Sequence, residues 1–380
     1  MRVLYVIDSL APGGAEMSLA ALAPHLIKGG VDLDVAYFHD RPGVHQQLLD
    51  AGARLTLLGE CGGRRGRVGA VRRLVDATRP DLVHTTLFEA DIAGRIASRL
   101  ARTPVVSSLV MDSYGDGHRN DHEGLGWRLR AAQGVDIATA QLVRRFHANS
   151  EAVASTMSRR LVVSRRRMDV VHRGRDAAAL GQRTSQRRTK TRESLGLPDA
   201  NTRLVLAVGR HEPAKGFDVL LSEARAIRDA VPSAVIAIAG RPGNATAELE
   251  KIVESTDSGG FVRLLGHRSD VADLMCAADL LVAPSRREGL PGTLIEALAM
   301  ECPIVAADIP TIREVASFCA VALVKPDDAP LLAIAVADAL QDLNRLDSLA
   351  KQGRTRFLEN FTIERSAAGM LAFYSNAMRT

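Results

Sequence analysis

The chain alternates short, almost wholly apolar runs with longer stretches whose apolar residues recur at helical spacing. A short apolar run is typical of a strand that is buried on both faces of a parallel sheet. The predicted strands of the N-terminal half are residues 2–8, 31–37, 54–57, 82–84 and 105–109, and two more begin the segments 146–153 and 168–176. Those of the C-terminal half are residues 203–208, 234–240, 262–266, 280–283, 303–306 and 321–325. Because helical stretches separate the strands, the pattern predicts an α/β fold with parallel sheets.

The length of 380 residues is typical of two domains. We predict an N-terminal domain at residues 1–177 and a C-terminal domain at residues 201–360. The basic stretch at residues 178–200 lacks apolar periodicity and is predicted to be a solvated linker. The last segment, residues 361–380, has the apolar spacing of an amphipathic helix.

The composition argues against several classes of protein. Aromatic residues make up only 4% of the chain, so its cores consist mainly of aliphatic side chains. The four cysteines are widely spaced, which disfavours a disulfide framework or a zinc site and fits a reducing cytosol. The N-terminal apolar run is too short for a signal peptide, and no run of about 18 apolar residues predicts a membrane span. The expected localisation is cytoplasmic.

The positive charge of the chain is concentrated in two clusters. Residues 151–200 hold twelve Arg and Lys against five Asp and Glu, whereas the whole chain has a net charge of +5. The clusters are Arg64, Arg65, Arg67, Arg72 and Arg73, and Arg159, Arg160, Arg165, Arg166 and Arg167. Such clusters suit an anionic membrane surface or a lipid-phosphate acceptor, and they are equally typical of solvated helix faces. No nucleic-acid-binding motif accompanies them, so we expect no nucleic-acid partner.

The most informative stretch is residues 278–306, in which a predicted strand, a turn-rich loop and a predicted helix follow one another. Glu288 lies in the loop at the carboxyl end of the strand, and Glu296 lies in the first turns of the helix. Open α/β sheets bind their ligands at such strand ends. The two carboxylates can accept hydrogen bonds from sugar or ribose hydroxyls, although glutamates are also typical of a solvated surface.

Backbone groups of the same loop are also available to a ligand. Gly289, which Leu290 follows, allows a ligand to approach the main chain closely. The N–H groups around Thr293 and Leu294 lie at a predicted helix N-terminus, which can hold a phosphate. A nucleotide joined to a sugar is the simplest ligand that matches this set of groups.

A resemblance to a known family follows from this stretch. The sequence E-G-L-P-G-T-L-I-E-A, with its two glutamates, resembles the donor-site signature of the retaining glycosyltransferases of family 4, and the flanking A-D-L-L-V-A-P-S-R and C-P-I-V-A-A-D match as well. The resemblance implies two facing Rossmann-like domains with an inter-domain cleft (GT-B). The N-terminal domain would take the acceptor and the C-terminal domain the donor. It also implies that the helix at residues 361–380 packs back on the N-terminal domain.

A basic loop follows the first strand of the C-terminal domain. It reads G-R-H-E-P-A-K-G and carries Arg210 and Lys215 between glycines. Arg can bind a diphosphate in forked fashion and Lys can bind it as a point charge, whereas salt bridges within the loop are the alternative. The resemblance implies that these two cations and Glu288 are the catalytic residues, that Glu296 binds the ribose, and that His267 borders the nucleotide base.

The N-terminal half contributes further candidates. Gly13 and Gly14 in P-G-G-A-E resemble the family's glycine loop, which lets acceptor and donor phosphate approach the backbone; a plain tight turn is the alternative. His84 ends a predicted strand and is an acceptor-side candidate or a structural residue. The polar segment at residues 111–126 is predicted to form an acceptor-side wall. Many members of the family carry a histidine just after a V-V-S-S strand, whereas this chain continues with Leu109, Val110 and Met111. His118, an acceptor-side candidate, and His122 lie close by in the sequence, and neither is assigned to catalysis.

The resemblance implies transfer of a hexosyl group from a UDP- or GDP-linked sugar, with retention of configuration, in cell-envelope polysaccharide biosynthesis. The acceptor would be a glycan, a lipid-linked molecule or a small molecule. Separately, the two basic clusters suggest the hypothesis of peripheral contact with the inner face of the membrane. We expect no cofactor and no metal. The alternatives are a nucleotide-sugar epimerase of the same fold and a non-catalytic partner that binds a nucleotide sugar.

Overall fold

The computed structural model describes residues 1–59, 61–115, 126–197, 199, 201–256 and 260–379. The chain divides into two compact units: Met1–Asp176 with Thr362–Thr380, and Ala177–Phe361. Each unit is built on one parallel sheet flanked by helices. The predicted fold class, α/β with two Rossmann-like domains, is confirmed.

The first unit contains a sheet in the order β3-β2-β1-β4-β5-β6-β7. Its strands are β1 (Arg2–Ser9), β2 (Asp32–His39), β3 (Arg54–Leu57), β4 (Leu82–Thr86), β5 (Val105–Leu109), β6 (Arg145–Ala148) and β7 (Met168–Val170). The helices between them are α1 (Gly14–Lys28), α2 (His45–Asp50), α3 (Gly63–Thr78), α4 (Phe88–Ala101), α5 (Gly126–Ala140) and α6 (Glu151–Arg160).

The second unit contains a sheet in the order β10-β9-β8-β11-β12-β13. Its strands are β8 (Arg203–Val208), β9 (Ala234–Ala239), β10 (Val262–Gly266), β11 (Leu280–Ala283), β12 (Ile304–Ala307) and β13 (Ala322–Val324). Its helices are α7 (Ala177–Leu180), α8 (Ser185–Ser194), α9 (Phe217–Ser222), α10 (Ala224–Ala230), α11 (Thr246–Thr256), α12 (Val271–Ala277), α13 (Gly292–Ala299), α14 (Pro310–Ala316), α15 (Ala329–Gln341) and α16 (Leu343–Asn360).

Burial on both faces explains why the strands are continuously apolar. In β8, Leu204 and Leu206 join one apolar cluster and Val205 joins the cluster on the opposite face. Each fully buried aliphatic side chain contributes about 1.5–3 kcal/mol relative to an exposed one. Both faces of the sheet are therefore covered by the hydrophobic core, and a ligand can reach the sheet only at the ends of its strands.

The last helix, α17 (Ile363–Arg379), belongs to the first unit. Its apolar stripe buries Met370, Phe373 and Ala377 in the core beside β1 and β2. Tyr374 is fully buried, and its hydroxyl lies 2.8 Å from Nδ1 of His84. The amphipathic pattern of this segment therefore reflects its packing within the first unit.

The basic stretch at residues 178–200 differs from the predicted solvated linker, because α7 and α8 are helices of the second unit. Arg188 of α8 lies 2.6 Å from the carboxylate of Asp279, and the buried Arg192 bonds the same carboxylate at 3.3 Å. Arg188 also donates to Ala277 and Ala278 carbonyls at the C-terminal end of α12, where cations are stabilised. This helix is anchored by charge, so it shows no apolar periodicity.

Candidate functional site

The candidate site of the second unit lies where its sheet reverses strand order. From β8 the chain crosses to β9 on one side, whereas β11 pairs with β8 on the other. The loops after β8 and β11 therefore flank a topological switch point, where open α/β sheets bind ligands. These loops carry the basic sequence and the first glutamate that the sequence analysis singled out.

Lys215 and Glu288 meet at this point. Nζ of Lys215 lies 2.6 Å from Oε1 of Glu288, and the hydroxyl of Ser285 donates to the same oxygen at 3.0 Å. The two charged side chains are 24% and 12% exposed, so their pair is only partly screened by water. The arrangement holds a cation and a carboxylate side by side at the mouth of the switch point.

A glycine permits the close approach of the two loops. Gly216 has φ +65°, and a Cβ atom there would lie 2.1 Å from the carbonyl oxygen of Pro284. Any other residue would therefore clash with main-chain atoms of the second loop. This contact places the short 3-10 turn at Pro213–Lys215 against the loop that carries Glu288.

Arg286 ties the loops together and is a positioning residue that the sequence analysis did not single out. Its guanidinium donates to both carboxylate oxygens of Asp218, at 2.9 and 2.6 Å, and to the carbonyl oxygen of Pro213 at 2.6 Å. It also donates to Asp327 at 2.6 Å. Because a bidentate pair fixes orientation as well as distance, Arg286 holds the Lys215 turn in register with the Glu288 loop.

Helix α13 begins directly after the Glu288 loop. Pro291 is its N-cap and supplies no side-chain cap hydrogen bond. Leu290 and Leu294 are buried in the core, whereas Gly289, Thr293 and Glu296 are partly exposed. The buried leucines anchor the helix start, and the polar groups of the first turn remain accessible at the strand ends.

Arg210 and His267 are more peripheral. Nε of Arg210 pairs with the carboxylate of Glu212 at 3.0 Å, and the Arg210 side chain is 65% exposed. His267 is exposed and follows Gly266, which has φ +65°. The structure therefore joins Lys215 to Glu288 and leaves these two side chains on the surrounding loops.

The glycine loop of the first unit is crowded by side chains. Gly13 is the N-cap of α1, and a Cβ atom there would lie 2.4 Å from Oε2 of the buried Glu16. A Cβ atom at Gly14 would lie 3.3 Å from Nη1 of Arg173. Burial raises the pKa of Glu16. Both glycines therefore make room for charged groups of their own unit.

His84 corrects the prediction that it ends its strand. Strand β4 continues to Thr86, and the ring is buried with Nδ1 at 2.8 Å from the Tyr374 hydroxyl and Nε2 at 2.7 Å from Oγ of Ser108. Oγ of Ser108 is also 2.7 Å from Nδ1 of His147. Since both nitrogens of His84 are engaged inside the unit, the ring is placed to link α17 to the sheet. His118 lies outside the described residues.

We expect the buried histidines to destabilise the first unit as the pH falls. Burial lowers the pKa of His84 well below its ordinary 6.5 and that of His147 to about 4. Between pH 6.5 and 4 the unfolded chain therefore binds protons that the folded unit refuses, which costs up to about 1.4 kcal/mol per pH unit for each histidine. Buried acids with raised pKa values, such as Asp8 and Asp91, act in the opposite direction.

The histidine contribution is therefore measured as a difference between two proteins. The free energy of unfolding of His147→Gln should fall less steeply than that of the wild type as the pH decreases from 6.5 to 4, because the variant lacks this histidine. Denaturant titrations at several pH values provide the measurement. Parallel curves for the variant and the wild type would contradict the assignment.

Within the described residues, no helix is long and apolar enough to cross a membrane, and no group of three His, Cys, Asp or Glu side chains could hold a metal ion.

Two family models match the chain. A model described as Glycosyltransferase Family 4 matches residues 12–179, and one described as Glycosyl transferases group 1 matches residues 202–342. A D-inositol 3-phosphate glycosyltransferase of Jonesia denitrificans is 30% identical over 307 residues, covering 77% of this chain and 71% of that protein.

A second relative is the lipopolysaccharide core biosynthesis mannosyltransferase LpsB of Rhizobium meliloti. It is 29% identical over 199 residues, which cover 50% of this chain and 56% of the relative. This chain therefore matches only about half of the relative's length. Among solved structures, HepE of Anabaena in complex with UDP and glucose superposes with a TM-score of 0.85 at 22% identity, covering 99% of this chain and 100% of that one. The latter similarity concerns the fold.

Proposed function

The chain belongs to the group 1, family 4 glycosyltransferases, and from that premise we propose that it transfers a hexosyl group from a nucleoside-diphosphate sugar to a hydroxyl acceptor with retention of configuration. The observation that carries the proposal is the Lys215–Glu288 pair at the switch point of the second sheet. A cation beside a carboxylate suits a ligand with a diphosphate at one end and hydroxyls at the other.

The cations would act on the leaving group. Departure of the nucleoside diphosphate builds most of the negative charge of the transition state, and fixed positive groups at that place lower the barrier. Lys215 supplies a point charge, Arg210 a forked donor from the neighbouring loop, and the start of α13 near Thr293 a helix N-terminus. Lys215 is held at its position by Glu288, so little reorganisation is needed when the charge develops.

The carboxylates would bind the hydroxyls. Two donors converge on Oε1 of Glu288 and fix the orientation of its carboxylate for the hydroxyls of the donor sugar. Glu296, in the second turn of α13, would bind the ribose, with Gly14, Gly289, Leu290 and Leu294 as backbone contacts and His267 beside the base. The UDP-bound structures of HepE support a nucleotide-sugar donor, and UDP or GDP is the proposed carrier.

The proposed acceptor is a glycan, a lipid-linked molecule or a small molecule of cell-envelope polysaccharide biosynthesis. The name of the Rhizobium meliloti relative, which refers to lipopolysaccharide core biosynthesis, supports this placement. Gly13 and the N-terminal unit would lie on the acceptor side. The enzyme would work in the cytoplasm, in peripheral contact with the inner face of the membrane.

The reaction is tested by supplying purified protein with UDP- and GDP-linked hexoses and an acceptor extract, and then determining the anomeric configuration of the product by NMR. Retained configuration supports the proposal, and inverted configuration contradicts it. An epimerised sugar, either free or still joined to its nucleotide, would indicate the nucleotide-sugar epimerase instead. Binding of the nucleotide sugar without any turnover would indicate a non-catalytic partner.

We expect donor turnover to be independent of divalent metal ions. Lys215, Arg210 and the start of α13 supply the positive charge that a metal would otherwise place on the leaving diphosphate. After treatment with EDTA and desalting, the rate of nucleoside diphosphate release should stay within about a factor of two of the untreated rate. Activity lost with the chelator and restored by Mg²⁺ or Mn²⁺ would overturn this part of the proposal.

The basic clusters allow a specific prediction about membrane contact. Arg67, Arg72 and Arg165 pair with acidic residues of the first unit. The members of the two clusters whose side chains are exposed to solvent are Arg64, Arg65, Arg73, Arg159 and Arg166. Each exposed arginine at an anionic surface contributes roughly 1 kcal/mol, and salt screens this attraction.

We therefore expect the protein to sediment with anionic vesicles at low salt and to be released at high salt, while neutral vesicles leave it in solution. The double variant Arg64→Glu/Arg65→Glu should reduce binding to anionic vesicles at least tenfold, in line with the loss of two such contacts. The single variant Arg379→Glu, at the end of α17, serves as the control for a charge reversal outside the two basic clusters. Equal binding to anionic and neutral vesicles would leave these arginines as ordinary solvated residues.

A further inference from the structure

The first unit holds a cavity of about 400 Å³ at the carboxyl ends of its strands. Its walls are partly apolar and include Leu87, Phe88 and Met111, whereas its polar lining includes three carboxyl groups, those of Asp8, Asp91 and Asp136. A space of this size accommodates a small ring-shaped molecule. All the described residues that line the cavity belong to the first unit.

The backbone beside the cavity is strained. Leu87 has φ +78° and ψ 158°, a conformation that is nearly restricted to glycine. It stands between β4 and α4, at the point where the order of the first sheet reverses between β1 and β4. Strain of this kind persists only where the surrounding structure enforces it, and it is often found at functional sites. Here it starts α4 so that the N–H of Ala90 donates to Oδ1 of Asp8 at 2.7 Å.

The carboxyl groups are part of a built polar wall. Arg95, which is fully buried, pairs with Asp136 and lies 3.3 Å from Asp91. The hydroxyl of the buried Tyr114 donates to Asp136 at 2.6 Å. One guanidinium thus stands behind two carboxylates, and Asp8 adds a third acidic group. Burial raises the pKa of Asp8 to about 7.

The wall therefore holds more acidic groups than cations, because three carboxyl groups line the cavity and one guanidinium, that of Arg95, stands behind them. Among the described residues that line the cavity, none is Lys or Arg. A phosphate or carboxylate in this space would meet these acidic groups, and the one cation behind them, Arg95, is already paired with Asp91 and Asp136. A hydroxyl or ammonium group would instead find hydrogen-bond acceptors.

We propose that this cavity is the acceptor subsite and that it selects a neutral or amine-bearing polyol ring over a phosphorylated one, with Asp8 binding the acceptor's hydroxyl or amine. The acceptor role rests on the proposed glycosyl transfer, and the selectivity rests on the lining itself. The apolar walls would contact the carbon face of the ring, and the acidic wall would contact its polar groups.

The test compares one ring with three substituents on the full-length protein: glucosamine, methyl α-D-glucopyranoside and glucose 6-phosphate. Ligand-observed NMR titrations at pH 7 should show binding of the first two and at least tenfold weaker binding of the phosphate. Asp8→Asn keeps an oxygen for the Ala90 N–H and removes the charge, so it should weaken glucosamine about tenfold more than the methyl glucoside. Ala132→Leu, on the cavity wall, should weaken both about tenfold while UDP binding is unchanged.

Tightest binding of glucose 6-phosphate, no binding of any probe, or binding that neither variant alters would overturn the inference. Release of nucleoside diphosphate from UDP- and GDP-hexoses is measured separately, without these probes. If no nucleoside diphosphate is released, the proposed function is contradicted, and the probe titrations still test the selectivity of the cavity. If donor turnover is intact but the cavity does not discriminate between the probes, only the acceptor inference is contradicted.

Discussion

Lys215→Ala is expected to lower the rate of nucleoside diphosphate release by two to three powers of ten while the fold survives. The Lys215 side chain is only 24% exposed and its ammonium group is held 2.6 Å from Glu288, so it is a preorganised charge at the mouth of the switch point. Removing one such contact typically costs about 3–4 kcal/mol of transition-state stabilisation. The rate is measured at saturating donor, and a thermal melt checks the fold.

Two further variants make this result specific. Lys351→Ala removes an exposed lysine of α16 and should leave the rate unchanged. Arg210→Ala should cost less than Lys215→Ala, because the Arg210 side chain is 65% exposed and water screens its charge. A near-normal rate for Lys215→Ala at saturating donor would remove the diphosphate assignment from this loop.

The second large effect is expected for Glu288→Gln, which should lower kcat/KM by about a hundredfold. Glutamine keeps the shape of the side chain and an oxygen for Ser285, but it removes the charge that holds Lys215 and one strong acceptor for sugar hydroxyls. Loss of a charge-assisted hydrogen bond that is made to the reacting sugar costs roughly 2–3 kcal/mol.

Glu296→Gln is the matched comparison for this change, because Glu296 lies on the same segment and is assigned to the ribose. It should raise KM for the donor more than it lowers kcat, since ribose contacts contribute equally to ground-state and transition-state binding. If the two variants showed the same modest rise in KM and unaltered kcat, Glu288 would have to be reassigned to binding alone.

The sequence predicted the sheets of both units because their strands are apolar on both faces. In β8 and β11 every central residue is buried, so the apolar run and the strand coincide closely. The loops after these strands were predicted to carry the ligand site, because ligand sites of open α/β sheets lie at strand ends. Lys215 and Glu288 could therefore be named separately, whereas their direct contact, 73 residues apart in sequence, could only be seen in three dimensions.

Packing that depends on charged side chains could not be predicted from the sequence. Helix α8 has no apolar stripe, because Arg188 and Arg192 anchor it through Asp279 and main-chain carbonyls. Arg286 resembled any surface arginine in sequence, yet its four side-chain hydrogen bonds join its own loop to the Pro213 turn, to α9 and to the segment that carries Asp327. The A-P-S-R flank of the donor signature was the one available signal for it.

Buried networks of polar side chains could not be predicted from the sequence either. A histidine at a predicted strand end was equally consistent with an acceptor contact and with a structural role. The ring of His84 proved to be buried because Tyr374, 290 residues away, supplies its partner. The positive φ of Leu87 has no signature in the sequence, since glycine is the residue expected in that conformation.

The central claim is that the second unit binds a nucleoside-diphosphate sugar through Lys215 and Glu288 and cleaves its anomeric bond. The most direct measurement is the release of UDP or GDP from a panel of nucleotide hexoses by purified wild-type protein and by Lys215→Ala. The account predicts release from at least one donor by the wild type and a rate two to three powers of ten lower in the variant. Equal rates for the two folded proteins, or no release from any donor in the presence of acceptor extract, would contradict it.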